Sequence, residues 1–186
     1  DEVHIDDKKF FDNFISAKKL FMPHHEIKVE HHSDLTPIFS AHKIERQVQT
    51  VYKRNINLPS GGNIVIDSTE ALVSIDVNSA KSTKGSDIED TAQNTNIEAA
   101  VEILTQLKLR DIGGLVVIDF IDMMSINSQK NVMRKVAEYA KKDKAKVAFA
   151  RISKFGLMEL SRQKLKSSII QNNYETCPTC DGTGQI

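Results

Sequence analysis

Three aspartates in this sequence each follow an isoleucine at the end of a run rich in isoleucine and valine: Asp67, Asp76 and Asp119. Asn78 lies two residues after Asp76, so on an extended strand their side chains point to the same face. Carboxylate and amide oxygens are the ligands that a hard divalent cation such as Mg²⁺ prefers. A metal held there could polarise a phosphoryl oxygen and orient a phosphate substrate. The alternative is that strand-terminal aspartates only cap the turn that follows.

Two predicted supersecondary units surround these residues. Residues 63–67 (NIVID) and 72–76 (LVSID) are joined by a short polar segment, which is typical of a β-hairpin with antiparallel strands. Thr95 and Glu98 form a T-x-x-E capping box, which predicts a helix that starts there. Residues 115–120 (LVVIDF) are almost continuously apolar, as in a strand that is buried on both faces. Strand, helix and strand then form a βαβ unit whose two strands run parallel.

The predicted strand directions separate the aspartates into two groups. Parallel strands have their carboxyl ends at the same edge of a sheet, where open α/β sheets bind ligands. Asp76 and Asp119 are therefore predicted to face one crevice, while Asp67 is predicted to lie at the opposite edge. Asp122 follows the second parallel strand and is either a neighbour of this site or a turn-capping residue.

A second candidate metal site lies near the end of the sequence. The segment Cys177-Pro178-Thr179-Cys180 presents two thiols from one turn, which is half of a tetrahedral structural zinc site. The chain contains no other cysteine. A redox dithiol is the competing interpretation, but a Gly-rich tail follows the motif, unlike a thioredoxin-type site. The pattern favours zinc, with half of the ligands present.

Charge is distributed unevenly although the formal net charge is zero. Residues 141–166 contain nine Lys or Arg against two acidic residues, and residues 87–102 contain five acidic residues and no Lys or Arg. A basic segment near an acidic metal edge suits a polyanion, whose phosphates need both cations and a metal. Lys146, Lys154 and Arg162 are the candidate phosphate contacts. The alternative is that these side chains form solvated surfaces without a ligand.

The composition bounds the class of protein. At 186 residues and 40% apolar content, the chain can build one core and part of a second. No run approaches the ~20 apolar residues that a membrane helix needs, and the N-terminus lacks the basic and apolar regions of a signal peptide. Two cysteines in a C-x-x-C pattern also differ from a secreted disulfide framework. A cytoplasmic location is therefore expected.

Residues 1–57 form a predicted N-terminal unit with a thin core. Asp6 or Asp7 caps a helix, a short strand covers residues 26–30, and a second helix covers residues 36–54. One strand and two helices bury little apolar surface. The unit either packs on the following domain or is part of a larger one.

Residues 58–170 form the predicted main domain, and residues 171–186 form a polar tail. Beyond the βαβ unit, periodicity predicts a helix over 128–143 and a strand over 147–152. Residues 155–163 are predicted to form a turn that leads into a short helix.

Six of these segments, in this order, match the pattern of one known family. They are LPSGG at 58–62, IDVNSA at 75–80, DIEDTAQNTNIEAA at 87–100, LRDIGGLVVIDFIDM at 109–123, FGLMELSRQ at 155–163 and CPTC at 177–180. Together they make the chain closely resemble the catalytic region of the ribonuclease E/G family. Residues 1–57 resemble that family's RNase H-like portion, with IFSAHKIERQV at 38–48 as the best match.

The resemblance implies a fold and a domain order. The fold is α/β, with a mixed sheet and a βαβ core flanked by helices. A deoxyribonuclease-I-like domain would cover residues 58–170, preceded by a partial RNase H-like unit (1–57) and followed by a zinc-link segment (171–186). In the full-length protein, an oligonucleotide-binding domain and a 5′-end-sensing region would precede this stretch and a small dimerisation domain would follow it.

The resemblance also implies a function. It implies a Mg²⁺-dependent endoribonuclease that cleaves single-stranded RNA to 5′-phosphate and 3′-hydroxyl ends. Asp76 and Asp119 would bind Mg²⁺ with Asn78 as the assisting amide. Cys177 and Cys180 would share one Zn²⁺ with the same pair of a second protomer, giving a dimer, or a tetramer in the full-length protein.

Two hypotheses from other classes stay open at this point. The chain as given could be a zinc-linked assembly or RNA-binding module with little activity. It could also be a metal-dependent DNA nuclease or phosphatase that uses the same sheet edge. The quoted motifs do not distinguish ribonuclease E from ribonuclease G.

Overall fold

The structure, a computed structural model, describes residues 2–79, 88–166, 168, 175 and 177–180. The chain divides into two compact units, Asp1–Thr50 and Val51–Ile186. This boundary precedes the one expected at residue 57, because strand β3 (Asn55–Asn57) pairs with strand β4 (Asn63–Ser68) of the second unit. Most of the expected tail at 171–186 lies outside the described residues.

The first unit contains two short parallel strands that a helix connects. Its elements are β1 (Glu2–Ile5), α1 (Lys8–Phe21), β2 (Lys28–His31), α2 (Ile38–Ala41) and α3 (Ile44–Val51). The carboxylate of Asp7 accepts a hydrogen bond from the Phe10 N–H at 2.6 Å, which confirms the predicted helix cap. The single helix predicted over 36–54 is wrong, because Lys43 has a left-handed φ of 56° and separates α2 from α3.

Among its described residues, the second unit has a six-stranded mixed sheet and two helices. The strand order is β3-β4-β5-β6-β8-β7. Its elements are β3 and β4, then β5 (Val73–Asn78), α4 (Ile88–Leu109), β6 (Gly114–Asp119), α5 (Ile126–Ala140), β7 (Val147–Phe149) and β8 (Leu157–Arg162). The predicted α/β class with a mixed sheet and flanking helices is confirmed.

The predicted hairpin and βαβ unit both occur. Strands β4 and β5 are antiparallel, and the N–H of Thr69 donates to the carbonyl of Leu72 across the turn at 2.9 Å. Strands β5 and β6 are parallel and are connected by α4. The remaining pairs in this sheet, β3 with β4, β6 with β8 and β7 with β8, are antiparallel. The sheet therefore has its one described parallel pair where the candidate site was predicted.

One face of the sheet carries the core. Inward side chains of the central strands, such as Ile75 and Ile118, pack with Ile103 of α4 and Val132 of α5. The prediction that β6 is buried on both faces is wrong, because its side chains alternate and Leu115 on the other face is 45% exposed. We call this other side of the sheet the open face. No helix among the described residues is long and apolar enough to cross a membrane.

Helix α4 starts earlier than predicted. It begins at Ile88, and Thr95 lies buried inside it, so the capping box at Thr95 is wrong. The carboxylate of Glu98 instead accepts a hydrogen bond from the Ser60 N–H at 2.9 Å. Two acidic residues in the first turn, Glu89 and Asp90, suit the positive end of the helix dipole.

The short helix predicted within 155–163 is also wrong. Residues 157–162 form β8, which lies between β6 and β7. Its side chains alternate, with Met158, Leu160 and Arg162 buried and Glu159 and Ser161 exposed. This period of two is a strand signal. Pairing on both sides of β8 makes this segment a strand despite its short length.

Candidate metal centre

Asp76 and Asp119 are direct neighbours in the sheet. Their Cα atoms are register partners at the carboxyl ends of β5 and β6. Adjacent strands lie about 4.8 Å apart, so two carboxylates on the same face come within reach of one cation. Both side chains alternate with buried residues and lie on the open face. The prediction that these two aspartates share one sheet edge is confirmed.

Asn78 supports Asp76. Its Nδ2 donates to Asp76 Oδ2 at 2.7 Å, and a weaker contact of 3.4 Å joins the same nitrogen to Asn63 Oδ1. A strand places residues i and i+2 on one face, which explains why the amide reaches the carboxylate. In this arrangement Asn78 orients Asp76 through its amide nitrogen, and its amide oxygen is the atom left for a further contact.

The electrostatics of the edge are those of crowded carboxylates. Burial raises the pKa of Asp119 above the ordinary value, and the negative charges of Asp76 and Asp122 raise it further. None of the ion pairs found within the described part of the chain involves these three residues. We call Asp76, Asp119 and Asp122 the acidic edge. A bound cation would relieve the repulsion between their charges.

The donor set of this edge fits Mg²⁺. Magnesium in proteins is usually bound by one or two carboxylates, several waters and substrate phosphates, and not by a complete cage of side chains. Asp76 and Asp119 supply two carboxylates on one face. Within the described ranges no group of three or more His, Cys, Asp or Glu forms a ready metal cage. The arrangement therefore suits a metal whose other ligands come from solvent and substrate.

Gly156 is a site residue that the sequence argument missed. A Cβ at this position would lie 3.2 Å from the Phe120 carbonyl oxygen, 3.3 Å from Asp122 Oδ1 and 3.8 Å from Asp119 Oδ1. Its φ of 79° is also in the left-handed region. The Gly156 backbone therefore lies close to the acidic edge, and a glycine in the turn predicted at the start of residues 155–163 was the available signal.

Asn96 is a second residue that was missed. Its fully buried amide donates to the Ile121 carbonyl oxygen at 2.8 Å and accepts from the Ile121 N–H at 3.0 Å. Glu89 similarly accepts hydrogen bonds from the N–H groups of Met124 and Ser125 at 2.9 and 3.0 Å. Helix α4 thus fixes the segment that follows β6 from two points. The available signal for Asn96 was a polar residue on an otherwise apolar helix face.

Asp67 lies elsewhere, as predicted. It pairs with Ser74 near the start of β5, at the edge opposite Asp76. Arg54 binds it through two nitrogens, with Nη2 at 2.6 Å from Oδ2. The hydrogen bond from the guanidinium lowers the pKa of Asp67. Asp67 is therefore the carboxylate of an exposed ion pair.

The three predicted phosphate contacts occupy different places. Lys154 lies in the turn next to Gly156, with its Nζ 5.0 Å from the ring centre of Phe155. Lys146 precedes β7, at the opposite end of the sheet from the acidic edge. Arg162 is buried, so the structure corrects its assignment as a phosphate contact.

The Arg162 guanidinium is satisfied within the protein. It contacts Asp143 at 2.8 Å, Asp111 at 3.3 Å and the Ile112 carbonyl oxygen at 2.9 Å. Only 2% of its side chain is exposed. We call Arg162 with Asp111 and Asp143 the arginine cluster. Its charges serve the fold of the second unit.

The cysteine pair lies in a described turn. The backbone N–H of Thr179, followed by that of Cys180 and by the Cys180 side chain, lowers the pKa of the Cys177 thiol. Cys177 is exposed and Cys180 is half-buried. Two thiols presented by one turn are a suitable pair of ligands for Zn²⁺.

Comparison with known proteins places these features in one family. The model of the Ribonuclease E/G family matches residues 1–165. Ribonuclease E of Haemophilus influenzae is 48% identical over 185 residues, which cover all of this chain and 20% of that protein. Ribonuclease E of Escherichia coli is 46% identical over 188 residues, and ribonuclease G of the same organism is 33% identical over 186 residues. Both alignments cover all of this chain, but only 18% and 38% of those proteins.

Proposed function

Since this chain belongs to the ribonuclease E/G family, we propose that its acidic edge is the metal-binding centre of an endoribonuclease. The substrate is single-stranded RNA, and the reaction is hydrolysis. Water adds to the phosphorus, the bond to the 3′ oxygen breaks, and the products are a 5′-phosphate and a 3′-hydroxyl. The observation that carries this proposal is the register pairing of Asp76 with Asp119 on the open face.

The residues of the edge have distinct roles in this proposal. Asp76 and Asp119 would hold Mg²⁺, which when bound supplies Lewis-acid stabilisation of the phosphate charge. Asn78 orients Asp76 by donating to it at 2.7 Å. Asn96 and Gly156 hold the backbone around Asp119 in place, so they are positioning residues.

Basic side chains that contact the RNA phosphates would begin with Lys154, next to the proposed metal centre. Lys154 is exposed and lies in the turn beside the acidic edge. Replacing it with Ala should weaken binding to all single strands and reduce the salt slope by roughly 0.7 of a unit. Lys146→Ala tests how far these contacts extend, because this lysine lies at the other end of the sheet. An unchanged salt dependence of RNA binding in both variants would show that these lysines are solvated surface residues that do not contact RNA.

The test of the proposed function is a cleavage assay with three substrates. A fluorogenic single-stranded RNA, its DNA counterpart and a phosphate monoester are each incubated with the full-length protein in Mg²⁺ or in a chelator. Cleavage of RNA alone, and only with Mg²⁺, is the expected result. Cleavage of the DNA or the monoester at a similar rate would instead identify a DNA nuclease or phosphatase.

A zinc-linked assembly is the second candidate, and the position of two cysteines, Cys177 and Cys180, in one turn favours it. Zinc takes four ligands in a tetrahedron, and the described turn offers two thiols. A two-fold dimer would supply the matching pair. Native mass spectrometry should find one Zn²⁺ per two chains, and a chelator should release the metal and loosen the dimer. One Zn²⁺ held by a monomer would contradict this arrangement.

Two finer assignments belong to the same proposal. The six-stranded sheet with its βαβ unit would be a deoxyribonuclease-I-like domain, and the first unit would be part of an RNase H-like domain. We place the activity in the cytoplasm, where a C-x-x-C pair stays reduced and available to a metal.

A further inference from the structure

The turn between β7 and β8 is held in one conformation next to the acidic edge. The N–H of Gly156 donates to the Ser153 carbonyl oxygen at 3.1 Å, and the N–H of Ser153 donates to the Leu157 carbonyl oxygen at 2.8 Å. The hydroxyl of Ser153 also accepts from the Phe155 N–H at 3.2 Å. These bonds close a tight turn, so a side chain on it is presented from a defined position.

The turn lies close to two carboxylates of the acidic edge. A Cβ on Gly156 would lie 3.3 Å from Asp122 Oδ1 and 3.8 Å from Asp119 Oδ1. The N–H of Phe120 also donates to the Gly156 carbonyl oxygen at 3.2 Å. Phe155 precedes Gly156, and consecutive Cα atoms are about 3.8 Å apart. Phe155 is therefore the sequence neighbour of a residue that lies close to Asp119, one of the two proposed metal ligands.

Phe155 is the most exposed aromatic side chain among the described residues of the second unit, at 70%. In the same unit Phe120 is buried in the core and Phe149 packs against it. A phenylalanine left in water contributes little to the folding of this unit. Its exposure next to a polar, charged edge favours a ligand that has both an apolar face and charge.

A cation accompanies the ring. Lys154 Nζ lies 5.0 Å from the ring centre of Phe155 and covers one of its faces. Proteins that bind single-stranded nucleic acids combine an aromatic ring for a base with a cation for the neighbouring phosphate. An unpaired base has a flat apolar face that stacks on such a ring.

We propose that Phe155 is the stacking platform for one base of the RNA, next to the phosphate that is cleaved at the acidic edge. Lys154 contacts a phosphate of the same nucleotide segment. This inference rests on the proposed ribonuclease function. A duplex keeps its bases stacked on each other, so this platform also favours single strands over double strands.

A tryptophan at the platform is a direct reporter for this contact, since these 186 residues contain none. Phe155→Trp introduces this fluorophore into the full-length protein, and the signal of the parent protein is subtracted. The variant is mixed with a single-stranded oligoribonucleotide in Mg²⁺, and its fluorescence is followed from the moment of mixing, before cleavage proceeds. The same oligoribonucleotide with abasic residues throughout carries the same phosphates but no bases. Quenching by the first and not by the second is the expected result.

Affinity measurements separate stacking from general effects. Phe155→Ala should bind the intact oligoribonucleotide about tenfold more weakly, whereas Phe155→Tyr should keep the parent affinity within about twofold. Leu115→Ala is the matched control, since Leu115 is an exposed apolar residue on the other end of β6. It should leave RNA affinity unchanged. Steady-state cleavage by Phe155→Ala should show the loss mainly in KM.

The failure of this inference is distinguishable from that of the proposed function. If the parent neither binds nor cleaves RNA, the proposed function fails. If the parent binds RNA and Phe155→Ala binds equally well, only the stacking platform is overturned. Equal quenching by the intact and abasic strands would overturn it too. A lower melting temperature with unchanged RNA affinity would assign Phe155 to a protein contact and would also overturn it.

Discussion

The acidic edge and the arginine cluster are two groups of aspartates within one folded unit, and they have opposite electrostatics. In the arginine cluster, burial alone would raise the pKa of Asp143, but hydrogen bonds from Arg162 and from the Ala145 N–H outweigh it and the pKa is lowered. At the acidic edge, burial and neighbouring carboxylates both raise the pKa of Asp119. One site contains its counter-charge, whereas the other site has carboxylates crowded on an open face.

This difference separates carboxylates that serve the fold from carboxylates that are available to a ligand. A carboxylate bound to a buried guanidinium is already neutralised, so it has little affinity left for a metal. Crowded carboxylates without a paired cation are a cost to the folded state that a ligand can relieve. The same reasoning assigns Asp67, which Arg54 neutralises, to structure.

The largest effect is expected from removing one carboxylate of the acidic edge. Asp76→Asn or Asp119→Asn in the full-length protein should lower the cleavage rate by at least about 10²-fold, because one of the two proposed metal ligands is lost. Single-turnover cleavage of a fluorogenic RNA measures the loss. Circular dichroism should show an unchanged fold. Normal cleavage by both variants would contradict the metal centre.

The next effect concerns stability. Arg162→Met should destabilise the protein by about 3 kcal/mol at pH 7, because Asp111 and Asp143 then lose their buried counter-charge. Urea unfolding measures this change. The lowered pKa of Asp143 means that the ion pair stabilises the folded state fully above the unfolded-state pKa of ~3.9, and that this stabilisation is lost as pH falls through the folded-state pKa. The difference between parent and variant should therefore shrink below about pH 4.

A third change tests whether the acidic edge depends on the helix behind it. Asn96→Ala leaves the N–H and carbonyl of Ile121 without their partner, which should cost about 2 kcal/mol. The segment after Asp119 would lose one of its anchors, so the Mg²⁺ concentration needed for half-maximal cleavage should rise. Asn131→Ala is the matched control, since its amide donates to the Gln93 side chain of α4 at 3.0 Å and the lost bond does not involve the segment after Asp119. It should leave the Mg²⁺ requirement unchanged.

A smaller effect is expected at the opposite sheet edge. Asp67→Asn removes an exposed ion pair, which typically contributes less than about 1 kcal/mol. Cleavage should be unaffected. Loss of cleavage in a folded Asp67→Asn protein would break the division into structural and ligand-binding aspartates.

The smallest effect is the stability of Asp119→Asn without metal. Because folding raises the pKa of Asp119, its ionised form destabilises the folded state above that pKa, and this penalty disappears below the unfolded-state pKa of ~3.9. In a chelator at pH 7 the variant should therefore be at least as stable as the parent, and the two should converge below about pH 4. With Mg²⁺ present, thermal unfolding should instead show that the parent is more stable than Asp119→Asn. If the variant were less stable than the parent at neutral pH in a chelator, the repulsion inferred between the carboxylates of the acidic edge would be contradicted.

Local patterns determined a large part of this fold. The two Ile- and Val-rich runs at 63–67 and 72–76, with a short polar segment between them, predicted a hairpin, and the apolar run around Asp119 predicted the parallel partner strand. Both predictions concern neighbours in sequence or a βαβ crossover with a strong preferred geometry. The same patterns identified Asp76, Asn78 and Asp119 as one group and separated Asp67 from them.

What the sequence by itself determined was therefore the edge on which the aspartates meet, because strand direction follows from connectivity. The tertiary structure decided which charges are available there. Arg162 resembles a surface cation in sequence, but two distant aspartates and the strand pairing of β8 bury it. Gly156 and Asn96 likewise acquire roles only through contacts with segments more than twenty residues away. Such contacts depend on packing between distant segments, which no local spacing encodes.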